Sequence, residues 1–180
     1  IAACYFFENL PVELYDFDNQ TGILTNPITS INSDNFYGIE FSPDGNLLYA
    51  GALQAPWNIY QYDLNTSPLS GIIIGNATSQ TGAIQLAPDN RLYVVSNGLS
   101  TLDAINDPNV MGMGCNYINN AVNLVGSTAL GLPTFFSSIF NSPPAGCDSV
   151  ATAIITINNS TSTYTNEIEC DSFIWAVNGQ

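Results

Sequence analysis

The sequence predicts an all-β fold built by repetition, and three observations carry that expectation. First, the 180 residues are 46% hydrophobic but only 9% charged, against a usual charged fraction of about 25%. Asn, Ser, Thr and Gln supply the polarity instead. Second, apolar and polar residues alternate in short runs bounded by Pro, Asp, Asn and Gly, as half-buried strands and tight turns do. Third, two separate blocks recur with one period. Pro43 within Gly38–Tyr49 matches Pro88 within Ala83–Tyr93, 45 residues on, and Val12–Asp18 matches Trp57–Asp63 at the same offset. Ser100–Asn106 is a weaker third copy of the second block.

Each element follows from its residues. Val12–Asp18 is a strand, and Asp16-Phe17-Asp18-Asn19-Gln20-Thr21-Gly22 turns it into a hairpin. Ile39-Glu40-Phe41 alternates as a half-buried strand does. Ser42-Pro43-Asp44-Gly45 is its turn: Pro pre-sets φ, Asp bonds its own backbone and Gly accepts a positive φ. Leu47–Ala50 returns, Asn58–Leu64 alternates again, and Ile72-Ile73-Ile74 is a short apolar strand. Four short strands in about 45 residues is the period of a β-propeller blade. The sequence therefore predicts a partial β-propeller of about three blades over 1–140, with Gly126–Phe140 packing on the last blade or closing it. Asn141-Ser142-Pro143-Pro144-Ala145-Gly146 belongs to a Pro/Gly linker, 141–148. Residues 149–180 are expected to begin a second, β-sandwich-like module rich in β-branched residues. The whole reads as a fragment of a larger protein.

The charge balance excludes several functions. There are 15 acidic residues, a single basic one, Arg91, no Lys and no His, for a formal net charge of −14. Nucleic-acid binding needs cations to displace phosphate counterions, and polybasic attachment to a membrane surface needs them too. No apolar run is long enough to span a bilayer, so membrane insertion is not expected. A histidine base, a Schiff-base lysine or a Ser-His triad is absent from this stretch.

The residues offer few candidate sites. Asp16 and Asp18 are spaced like the first two ligands of a calcium loop, although Thr21 stands where an EF-hand needs Gly. Calcium is the one cofactor considered. Trp57 and Tyr60 are the candidates for ligand contact, from an aromatic set that includes Tyr37, Tyr49 and Tyr62. Glu8, Glu13, Glu40, Glu167 and Glu169 qualify as acid–base residues by type only, and no catalytic residue is assigned. The four cysteines, Cys4, Cys115, Cys147 and Cys170, allow three complete pairings. Cys147 and Cys170 flank one predicted strand and form the favoured disulfide.

The motif order is informative as a whole. The succession Val12–Asp18 with Thr21-Gly22, Tyr37–Gly45, Ile59–Leu64, Gly82–Asp89, Cys115-Asn116-Tyr117 and Gly131–Phe136 resembles the propeller region of large secreted Bacteroidota proteins of the gliding-motility or type IX secretion kind. The tail Cys170-Asp171-Ser172-Phe173-Ile174-Trp175 is similar to their Cys-Asp-Ser-x-x-Trp repeats. Asn90 departs from the glycine usual there. The resemblance implies an extracellular or cell-surface location.

From these readings the chain is expected not to be an enzyme but a non-catalytic structural, adhesive or interaction module. Its partners would be other protein chains or a surface polysaccharide. Two alternatives stand beside it. One is a homo-oligomer or extracellular filament built by strand addition. The other is a polysaccharide-acting propeller enzyme with catalytic residues outside this segment.

Overall fold

The alternation read from the sequence appears as eleven strands in a computed structural model that describes residues 1–133. They are β1 (Ala2–Ala3), β2 (Leu10–Phe17), β3 (Leu24–Asp34), β4 (Phe36–Phe41), β5 (Leu47–Ala52), β6 (Asn58–Asp63), β7 (Gly71–Asn76), β8 (Thr81–Leu86), β9 (Leu92–Ser96), β10 (Thr101–Ile105) and β11 (Tyr117–Asn123). A short 3₁₀ turn, Gly112–Cys115, precedes β11. Every paired strand is antiparallel to its neighbour. The strands form three sheets, β1-β2-β3, β4-β5-β6-β7 and β8-β9-β10-β11. The last two are consecutive four-stranded meanders, the arrangement of propeller blades. The fold is all-β, a partial propeller.

The repeat explains the placement of the first sheet. Asn58–Asp63, the third strand of its sheet, matches Val12–Asp18 in β2 and Ser100–Asn106 around β10. Third positions therefore correspond throughout, and β1, β2 and β3 hold the second, third and fourth positions of a blade. The outermost strands also meet: Ile31 N donates to Leu69 O at 2.9 Å, and Gly71 N donates to Asn32 Oδ1 at 2.6 Å.

Two apolar layers lie between the three sheets. Val12, Phe36, Leu48, Ala50, Tyr60 and Tyr62 fill the first, with Leu14 and Cys4 at its margin. Leu47, Tyr49, Ile59, Ile74, Ile84, Leu92, Val94 and Cys115 fill the second. The middle sheet contributes to both. In β5, Leu47 and Tyr49 point one way and Leu48 and Ala50 the other, as the two-residue period requires, and all six residues of the strand are buried. That is why this strand reads as continuously apolar.

The inner strands approach closely because glycine permits it. A Cβ on Gly38 would stand 2.3 Å from Gly82 O, and one on Gly82 would stand 2.4 Å from Leu130 O. Leu130 thus meets the start of β8 at much the same distance as Gly82 meets β4. Ala83 N donates to Leu130 O at 2.7 Å, and Thr128 Oγ1 donates to Ser96 O. The segment through Pro133 thus packs on the last sheet, as expected for its part of Gly126–Phe140. The 141–148 linker, the 149–180 module and the Cys147–Cys170 pair lie outside the described residues.

Candidate functional site

Antiparallel meanders place alternate connections at opposite ends, so the described blades have two distinct faces. The hairpin end carries the β2–β3, β4–β5, β6–β7 and β8–β9 turns. The loop end carries the β1–β2, β5–β6 and β9–β10 loops and the crossovers between sheets.

At the hairpin end aspartates organise the turns. Asp44 Oδ1 accepts from Ser42 Oγ at 2.6 Å and from Asn46 N at 3.1 Å, while its Oδ2 accepts from Asn46 Nδ2. These bonds, the Ser42 one foremost, hold the Asp44 carboxyl below the usual carboxylate range. Asp89 repeats the arrangement with Arg91 N and Tyr93 OH, and Asp63 with Asn65 N. Gly45 completes its turn at φ +72°.

Asp18 belongs to the same class. It accepts from Gln20 N and from Thr21 N and Oγ1, and the Thr21 hydroxyl is the main cause of its lowered pKa. Asp16 accepts from Asn26 Nδ2 at 2.8 Å. These two expected calcium candidates are engaged in hairpin contacts. Among the described residues no group of three or more His, Cys, Asp or Glu side chains converges.

The expected ligand pair is not brought together. Tyr60 is only 8% exposed and sits in the first apolar layer. Its hydroxyl donates to Asp34 Oδ2 and accepts from Asn58 Nδ2, both at 3.2 Å, and its ring meets Phe36 edge-on at 5.3 Å. It is therefore core, not a stacking surface: β6 lies between two apolar layers, and its residues Asn58 to Tyr62 are buried on both faces. Trp57, half-buried at φ +56°, packs against the second layer instead. Tyr49 and Tyr62 are fully buried.

The remaining aromatic of that set, Tyr37, lies at the loop end of inner strand β4 and is 36% exposed. The β1–β2 loop folds over it. Cys4 Sγ donates to Tyr37 O at 3.4 Å. Phe6 packs edge-on against Tyr37 at 5.3 Å and against Phe7 at 3.8 Å, and Phe7 is 76% exposed. Asn9, at φ +47°, turns the chain into β2 and donates its N–H to Asn35 Oδ1 at 3.1 Å. This cluster is the candidate site. Phe6 and Phe7 escape a reading by strand alternation because they sit in a loop. Their signal is local: three aromatics, Tyr5-Phe6-Phe7, followed closely by a turn-forming Asn.

Most carboxylates elsewhere are occupied. Glu13 Oε2 accepts from Tyr15 OH at 2.6 Å and Tyr5 OH at 2.7 Å, which lowers its pKa. Glu40 accepts from Leu86 N and Phe41 N. Asp103 is fully buried and accepts from Ser96 Oγ, Tyr117 OH and Asn120 N. Glu8 is exposed and adjoins Phe7.

Comparison with known proteins adds an enzymatic relation. Over 75 residues the chain is 36% identical to the oligogalacturonate lyase of Dickeya dadantii (strain 3937), a match covering 41% of this chain and 19% of the lyase. The chain therefore spans about a fifth of that relative. Two solved structures align at TM-score 0.44. One is a functionally unknown protein from Desulfotomaculum acetoxidans DSM 771, at 20% identity over 65% of this chain and 34% of that one. The other is the Xanthomonas campestris gluconolactonase XC5397, at 14% identity over 66% of this chain and 37% of that one. No family model matches.

The lyase match corrects the expectation that the chain is not an enzyme: its relative in sequence is one. The expectation rested on missing His and Lys. Their absence from one segment constrains only that segment, because a propeller assembles its sites from several blades.

Proposed function

We propose that this chain is the propeller portion of a polysaccharide-acting enzyme, with the loop end as the face that meets substrate and the acid and base groups outside residues 1–133. The observation that carries this reading is the 36% identity over 75 residues to a lyase, on a chain that forms consecutive propeller blades. The aromatic cluster at the loop end supports it, because sugar rings present apolar C–H faces that stack on aromatic rings. The export implied by the family resemblance would deliver such an enzyme to its polymer outside the cell.

The test is direct. The complete gene product is incubated with neutral and acidic polysaccharides, and new reducing ends and unsaturated products are followed. The reading expects chain cleavage of at least one polymer. Failure to cleave any, by a protein with an intact strand signal in circular dichroism, would overturn it.

A further inference from the structure

We infer that the loop-end cluster binds an uncharged saccharide, with Phe7 and Tyr37 stacking on sugar rings and Asn9 and Asn35 bonding their hydroxyls. This inference rests on the reading of the chain as part of a polysaccharide-acting enzyme, and it names that enzyme's substrate class.

Three features point to it. The aromatic surface is set in place before any ligand arrives. Phe6 braces Phe7 and Tyr37, and the Cys4 thiol ties the loop to the β4 backbone. A braced surface pays little ordering entropy on binding. Polar groups stand beside it: Asn35 is 7% exposed, and its Oδ1 is taken by Asn9 N. That leaves the two Nδ2 protons as donors, with no partner among the described residues. Amide donors beside an aromatic face suit hydroxyl oxygens.

The third feature is charge, which at this cluster favours a neutral ligand. A uronate carboxylate is held most strongly by a guanidinium or ammonium group. The chain's sole basic side chain is Arg91, in the β8–β9 turn at the opposite end. The carboxyl groups nearest the cluster in sequence are those of Glu8 and Asp34, and the chain as a whole carries −14. A polyanion would be repelled at low salt, where screening reaches only beyond tens of ångströms. A neutral glycan pays no such cost.

Binding is measured by calorimetry on the complete gene product at low and high salt. Gluco-, xylo-, manno- and galacto-hexasaccharides serve as neutral probes and hexagalacturonate as the charged one. At least one neutral hexasaccharide binds, with affinity nearly independent of salt, and more tightly than hexagalacturonate at low salt. Phe7→Ser, at an exposed position, lowers that affinity by about tenfold or more, with Tyr37→Ala as the second variant; thermal unfolding of each verifies the fold. Hexagalacturonate binding as tightly as the neutral probes at low salt would overturn the inference. So would the absence of neutral binding, or neutral binding indifferent to both substitutions. Cleavage measured separately keeps these failures distinct from failure of the enzyme reading.

Discussion

Tyr49 and Tyr62 make a matched pair at the scale of single residues. Both are fully buried, on adjacent strands but in different apolar layers. The Tyr49 hydroxyl donates to Pro108 O at 2.8 Å and accepts from Gln61 Nε2 at 2.7 Å. The Tyr62 hydroxyl has no hydrogen-bond partner among the described residues. Ser30, near it, donates instead to Asn32 O and accepts from Val12 N. Tyr49→Phe leaves Gln61 and a carbonyl short of partners and should cost about 1–3 kcal/mol. Tyr62→Phe removes a buried group that bonds nothing and should be neutral or slightly stabilising. Urea unfolding of the two variants checks the contrast; equal losses would contradict it. The sequence places both tyrosines in one aromatic set without distinguishing them. Nothing local tells them apart, because one partner of Tyr49, Pro108 O, comes from a loop 59 residues later and the other, Gln61, from the neighbouring strand.

Among the elements, the contact of β4 with β8 is the decisive one. At Gly38 the two backbones come so close that any Cβ must displace peptide atoms, not a flexible side chain. Gly38→Ala should therefore lower stability by about 2 kcal/mol or more, as overpacking does. Gly45→Ala is strained only by its positive φ, since nothing lies within 4 Å of the added carbon, and should cost about 1 kcal/mol. Thermal melts of the two variants provide the comparison, and Gly38→Ala melting at or above Gly45→Ala would refute the close approach. The turn glycine is legible in Ser42-Pro43-Asp44-Gly45, because turn chemistry is local. Gly38 and Gly82 carry no such local signal, because their close contacts are with segments far away in sequence.

For the whole molecule, burial sets the alkaline limit. Burial is the main cause that raises the Tyr49, Tyr62 and Tyr117 hydroxyls well above the ordinary tyrosine range, with the Asp103 carboxylate adding to the effect at Tyr117. A pKa raised in the folded state means that the fold favours the protonated phenol. That contribution is fully present below the ordinary value of about 10 and is lost as pH rises from there through the folded values. Stability should therefore fall steadily above about pH 10. Phenolate absorbance of these three should appear only together with loss of the strand signal. Smooth titration of all nine tyrosines near pH 10 with strands intact would show that the layers between sheets are not closed.

The sequence by itself determined the period, the turns, the all-β class and the poverty in cations, because each depends on residue type at short range. It also supplied every aromatic from which a site could be chosen, but it chose Trp57 and Tyr60. Only the tertiary structure sent Tyr60 into the layer against Asp34 and left Phe7 and Tyr37 at the surface. The physical reason is that exposure depends on which neighbouring sheet covers a face. Sheets packed on either side bury both faces of the middle strands β5 and β6, whereas the β1–β2 loop, at the end of the sheets, has its exposed ring covered by none of the described strands.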